Sequence, residues 1–280
     1  MDLTISADFF QRLLDLESRI ESQNVEWYVE NFENKVIDYW AVERPGRLKR
    51  SPETGSPIRE ESTVSEFLDK TGVLDLFRNR DSVGLKSVQS AVINPWGFVG
   101  FQFGEPLLMD LQYYRPVMET VVVDGERLVV PSYYASSLPE TTWRDGTTSC
   151  LYQNESTGRW QVGTDVNRWQ GTFTGRDGVN SFEDLRRYDC QTAILRRSLR
   201  HSVNILNKYF GKNGQDLWTA GEDYPTPASL LGACHLCGPF GVVAYLESGQ
   251  LRSDEAGTSI STYLKAFADV TIASHDVFAA

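Results

Sequence analysis

One segment constrains this chain more than any other: Phe9-Phe10-Gln11-Arg12-Leu13-Leu14-Asp15-Leu16-Glu17-Ser18, an amphipathic run that sets a carboxylate among apolar residues. At helical spacing, Phe10, Leu13 and Leu14 precede Glu17 by seven, four and three residues, and Ile20 follows it by three. All four therefore share its face. A glutamate on that face turns toward a core, where desolvation disfavours its charged form and raises its pKa. A general acid working at neutral pH needs such an environment. The competing reading is a glutamate that reaches solvent or pairs with Arg12 or Arg19.

A chain of 280 residues can bury a substantial core, as one large domain or two smaller ones. With 41% hydrophobic and 12% aromatic residues it is globular. A formal charge of −11 argues against nucleic-acid binding, which needs basic patches, and against electrostatic adhesion to anionic membranes. The first eight residues lack the basic start and apolar run of a signal peptide. No segment approaches the roughly 20 uninterrupted apolar residues of a membrane span. The expectation is a cytoplasmically made protein that another agent delivers to its place of action.

Four cysteines, Cys150, Cys190, Cys234 and Cys237, are too few for a disulfide scaffold of this length. Cys234-His235-Leu236-Cys237 has the spacing of half a zinc site, but no second ligand pair is visible. Small residues on a buried helix are the better reading, and neither metal nor cofactor is expected.

Punctuation divides the rest. Residues 7–42 read as helical, with two aromatic-rich turns (Trp27, Tyr28, Phe32, Tyr39, Trp40), and 44–57 as a loop rich in Pro, Gly and charge. Thr63-Val64-Ser65-Glu66 is a capping-box pattern opening a helix near 63–79. Asn94-Pro95-Trp96-Gly97 is a turn. The following Phe98-Val99-Gly100-Phe101-Gln102-Phe103-Gly104-Glu105 is too glycine-rich for an ordinary strand and suggests close backbone approach. Thr120 to Pro131 is a hairpin signal around Asp124-Gly125, and Gly146, Gly158 and Gly163 extend that texture to about 168. Helices return from Ser181 toward Arg187, then near 190–211 with a cap at Gly211, at 226–236, at 238–247 and at 259–267.

Five blocks, in order, resemble lysozyme-like peptidoglycan hydrolases, the soluble lytic transglycosylases and goose-type lysozymes. They are the Phe-x-x-x-Leu-x-x-x-Glu-Ser stretch ending at Ser18; Gly97–Glu105 with Leu107, Leu108 and Tyr113-Tyr114; Trp169–Ser181; Ser229–Val242; and Gly257-Thr258-Ser259 with Tyr263-Leu264. Together they cover about half the chain. The resemblance implies a predominantly helical α+β fold of lysozyme type. It assigns residues 1–117 and 168–280 to the catalytic domain, 118–167 to a β-rich insertion and 43–62 to a loop insertion.

The resemblance also implies cleavage of peptidoglycan glycan strands with Glu17 as acid. Gln102 then lines the cleft, and His235 stands where relatives keep a tyrosine. Leu236 departs from the family's asparagine, and a phenylalanine precedes Gln102. A second Glu-Ser pair, Glu21-Ser22, makes Glu21 the other candidate acid. Were both on one helical face, repulsion at this spacing would raise one pKa further.

No motif fixes a second carboxylate. Glu105 and Asp177 are candidates, although Glu105 also suits the start of a proline-led helix and Asp177 a Gly-Arg-Asp-Gly turn. A single-acid mechanism with attack by the substrate's own hydroxyl or acetamido group is the expectation. Trp96, Phe101, Tyr113, Tyr114 and Trp169 cluster around the glycine motifs, where flat faces can stack on sugars or simply fill a core. The expected partners are peptidoglycan strands and, for delivery, proteins of a phage tail or injection apparatus. Two other readings are a structural particle component on the same fold and a chitin- or chitosan-degrading enzyme.

Overall fold

The computed structural model describes residues 4–44, 47–123, 126–132, 151–153, 160–162, 167–220, 225–251, 253 and 257–278. The fold class is α+β. The chain divides into two compact units, one formed by Met1–Gln23 with Thr192–Ala280 and the other by Asn24–Gln191. The boundary falls elsewhere than the sequence division at 117 and 168, and the β-rich segment lies wholly within the second unit.

In the first unit, helix Thr4–Ser18 buries Phe10, Leu13 and Leu14 of the apolar stripe read from sequence, with Phe9 beside them; Ile20, also buried, lies past the helix end. Arg19, in left-handed backbone geometry (φ 57°), ends the helix. Asp15 holds the reversal that follows, its carboxylate accepting from the Ser22 hydroxyl at 2.6 Å and the Ser22 amide at 3.2 Å.

The unit's longest continuous segments are the helices Tyr188–Phe210, whose last nineteen residues belong here, and Pro227–Ser248. The latter is capped by Thr226, whose hydroxyl accepts from the Ser229 amide. At Gly238 (φ 70°, ψ 164°) the backbone leaves helical geometry just before Pro239, so the element is two helices meeting at a kink, where the sequence separated 226–236 from 238–247.

Helix Ile260–Ala266 packs on the first of these two helices. A Cβ at Gly232 would stand 2.6 Å from the Phe267 ring, so glycine is what lets that ring in. Phe267 also packs against Phe9 with the rings tilted and their centroids 4.9 Å apart. Among the described residues, Pro227–Ser248 is the one helix long and apolar enough to cross a membrane, a length the residue-by-residue reading did not assign. Close to half of its apolar stretch is buried inside the structure, as in the core helix of a folded domain.

The second unit contradicts the reading of 7–42 as helical. Helix Val25–Glu30 is followed by strand Lys35–Trp40, which pairs antiparallel with Arg59–Thr63. Its β-branched and aromatic residues suit a pleated surface, and the partner that decides the matter lies some twenty residues downstream. The expected loop 44–57 is also partly ordered. Val42–Arg44 pairs with Arg47–Leu48, and Ser51 and Ser56 close a turn at 2.8 Å.

Thr63 and Glu66 form the expected capping box, the Glu66 amide donating to the Thr63 hydroxyl at 3.0 Å and the Thr63 amide to the Glu66 carboxylate at 2.8 Å. That reciprocal bond holds the Glu66 carboxyl below its ordinary pKa. The helix ends at Lys70, and Gly72 (φ 73°) turns the chain into Leu74–Arg78 instead of letting one helix run to 79.

Strands Met118–Val123 and Glu126–Pro131 pair in full register, with the Asp124-Gly125 turn between them outside the described residues, as are Gly146, Gly158, Gly163 and Cys150. A second pair joins Leu151–Gln153 and Trp160–Val162. The Gly211 cap also needs correction: Gly211 opens a short 3-10 turn, and Gly214 (φ 73°) takes the left-handed position.

Candidate functional site

In the first unit the structure builds a carboxylate cluster around Glu17. One residue from its helix end, Glu17 keeps only 8% of its side chain exposed. The Tyr263 hydroxyl, on helix Ile260–Ala266, donates to Glu17 Oε1. His235 Nε2, on helix Pro227–Ser248, stands 3.6 Å from the same oxygen, with its own side chain 7% exposed. Three segments far apart in sequence thus fix one carboxyl group: the apolar stripe buries it and two polar rings aim at one of its oxygens. Ser18, the other half of the Glu-Ser pair, is buried and its hydroxyl accepts from the Ile20 amide at 3.2 Å, so it shapes the turn below the carboxylate.

Tyr263 is the residue of this cluster that the site reading missed. Its buried position is decided by Phe267, with which it stacks, and by the Ser229 hydroxyl donating to the Leu264 carbonyl at 2.8 Å. The first contact lies at i, i+4 helical spacing, but the second joins residues 35 apart and has no local sequence signal. Glu21, the second candidate acid, lies beyond the helix end and is exposed. The reversal at Arg19 takes Glu21 off the helix that carries Glu17, so the two carboxylates do not lie one turn apart on a helical face.

The Cys234 thiol is buried, with its pKa raised chiefly by desolvation. Cys237 lies 3.4 Å from the Ala233 carbonyl. No group of three or more His, Cys, Asp or Glu among the described residues is placed to hold a metal.

The second unit gathers the glycine-rich candidates around a different carboxylate. Residues 94–105 form a compact loop in which the Asn94 carbonyl oxygen of the side chain accepts from the amides of Trp96 (2.8 Å) and Phe98 (3.1 Å). The Asn94 side-chain amide donates to Gln102 Oε1. Gln102 is half-buried and takes left-handed geometry (φ 58°), an uncommon choice for a residue with a side chain. Gly97, Gly100 and Gly104 are required by close approach: a Cβ on them would meet Asn167, Gln191 and Phe98 at 2.6 Å or less. Gln191 locks the loop from beneath, accepting from the Phe101 amide and donating to the carbonyls of Ser90 and Leu185.

Glu105 is fully buried. Its Oε1 accepts from the amides of Arg168 and Trp169, each at 2.6 Å, and its own amide donates to Asn167 Oδ1. It therefore ties the 167–171 segment to the loop, a role that the reading as a dipole complement or second catalytic carboxylate did not contain. Desolvation raises its pKa, against the opposing pull of those two amides and of the nearby Tyr114 hydroxyl.

The aromatic candidates divide. Tyr113 is fully buried with its hydroxyl donating to Asp177, so its ring has no open face. Asp177 is exposed in a left-handed turn (φ 48°) between two positive-φ glycines and accepts that bond, which is the turn role. Phe101 and Tyr114 are buried too. Trp96 is half-buried, and its carbonyl accepts from Asn167. Trp169 is half-buried among Phe173, Phe182 and Tyr114, and its indole N–H donates to the Gly97 carbonyl at 2.7 Å. These rings mainly build the unit; Trp96 and Trp169 are the two that keep partial exposure.

The chain matches no known family model, no curated protein and no solved structure.

Proposed function

We propose that this protein cleaves the glycan strand of peptidoglycan at the MurNAc–GlcNAc β-1,4 linkage, on a lysozyme-like fold, with Glu17 as its single general acid. The observation that carries the reading is the positioned Glu17 carboxyl: nearly buried, walled by apolar side chains, and held through Oε1 by Tyr263 beside His235. Fixing a carboxyl in this way sets the direction of proton delivery before substrate arrives.

In the proposed step Glu17 gives its proton to the glycosidic oxygen as the bond to the sugar carbon breaks. The muramyl residue's own hydroxyl then attacks that carbon, and the Glu17 carboxylate takes the hydroxyl's proton. Acid and base are then one residue, and the product is an anhydro sugar. This scheme needs no second carboxylate, which agrees with Glu105 being sealed and Asp177 being engaged in a turn.

The test is clearing of purified peptidoglycan by the wild type beside Glu17→Gln, with mass spectrometry of the digest. Glutamine keeps the shape and removes the proton, so activity should fall roughly 100-fold or more. Products should be lighter than hydrolytic ones by one water. Reducing ends would indicate hydrolysis, and equal clearing by both proteins would remove Glu17 from the role.

A second reading rests on the same cluster. A carboxylate satisfied by a tyrosine hydroxyl and faced by a histidine also describes an internal polar contact that joins three segments. The protein would then be a structural component of a phage tail or injection particle. Absence of clearing on peptidoglycan and on chitin, with the wild type folded, selects it.

A further inference from the structure

In the second unit, Glu105 is buried with an oxygen left over. Oε1 is saturated by the Arg168 and Trp169 amides, while Oε2 is sealed from solvent with no partner in good hydrogen-bond geometry. The titratable and charged groups facing it are the Tyr114 hydroxyl, on the adjoining strand, and the Arg168 guanidinium, on the segment it holds. The Tyr114 hydroxyl oxygen already accepts from the Gly171 amide, and burial pushes its pKa up to about 12, so it remains a neutral phenol.

What Glu105 holds is under strain. Trp169 sits at φ 55°, costly for an aromatic residue, and persists because its amide, its indole N–H and its neighbour Asn167 are all tied to the glycine-rich loop or to Glu105. A Cβ at Gly171 would meet the Arg115 carbonyl at 2.2 Å, so only glycine allows the closed segment to approach this strand.

We propose that Glu105 is a proton-operated latch: neutral, it holds the 167–171 segment closed on the glycine-rich loop, and its ionisation releases that segment. In the closed state the proton resides on Oε2, since Oε1 is engaged by two donors. Loss of the proton leaves a charge with no access to solvent, a cost relieved when the segment lifts and water enters. Because the closed state raises Glu105's pKa above its ordinary value, closure is complete below that ordinary value and weakens as pH rises toward the raised one. The inference concerns the second unit alone and stands whatever reaction Glu17 performs.

Amide hydrogen exchange of Arg168 and Trp169 in the full-length protein, corrected for intrinsic rate between pH 4 and 8, tests it. The opening constant should rise by up to about tenfold per pH unit above pH about 4.5, then level off. In Glu105→Gln, whose side-chain oxygen can still accept both amides, the profile should be flat. Tyr114→Phe removes a group that favours the charge, so its plateau should begin at higher pH. That variant keeps the test open should the glutamine form fail to fold. A pH-independent opening constant in the wild type, or profiles unchanged in the variants that fold, would overturn the latch.

Discussion

At the scale of single residues, Glu17 and Glu105 are two carboxylates buried in unlike ways. Glu17 has polar rings at one oxygen and 8% of its side chain open; Glu105 has backbone amides at one oxygen and is fully closed. The first arrangement orients a group that can still meet something outside, and the second organises a loop. Tyr263 connects the orientation to stability. Tyr263→Phe should lower stability by about 1–3 kcal/mol, because it withdraws a donor from a buried carboxylate while leaving the stack on Phe267 intact. A lower urea midpoint for the variant checks this. An unchanged midpoint would mean the hydroxyl contributes nothing net, and the clamp on Glu17 would rest on His235.

Elements form where local rules and distant partners agree. Thr63 caps its helix through contacts three residues away, so its effect is predictable in isolation: Thr63→Ala should cost about 1 kcal/mol, read as a shift of the urea midpoint at constant slope. Thr63→Ser should recover most of it, since serine supplies the same acceptor. Strand Lys35–Trp40 shows the opposite case. The sequence reading makes it the end of a long helix, and it becomes a strand because Arg59–Thr63 offers an edge to its β-branched and aromatic residues after the chain reverses at 51–56. The helix after Thr63 stops short for a local reason, the left-handed Gly72.

For the whole molecule, the question is which parts are needed to fold. The β-rich segment between Val117 and Asn167 leaves and returns at neighbouring places, since Tyr114–Arg115 pairs with Thr172–Phe173 and the Tyr114 and Trp169 rings stand 5.6 Å apart. Replacing residues 118–166 by a short glycine-serine linker, with Asn167 kept for its bonds to Trp96 and Glu105, should therefore leave a folded protein. Closing so short a span costs little entropy. Circular dichroism and a cooperative melt check the outcome; an unfolded product would make the hairpins part of the core.

What the sequence determined by itself is what depends on near neighbours: the apolar face around Glu17, the capping box at Thr63, and the kink at Gly238-Pro239. Each is set by residues within a turn or two, where spacing and backbone preference suffice. Only the tertiary structure decided that Tyr263, 246 residues away, donates to Glu17, that Glu105 closes on the amides of Arg168 and Trp169, and that Glu21 is exposed past the helix end. These outcomes depend on which distant segments pack together, and a hydrogen-bond donor sixty or more residues away leaves no periodicity to read.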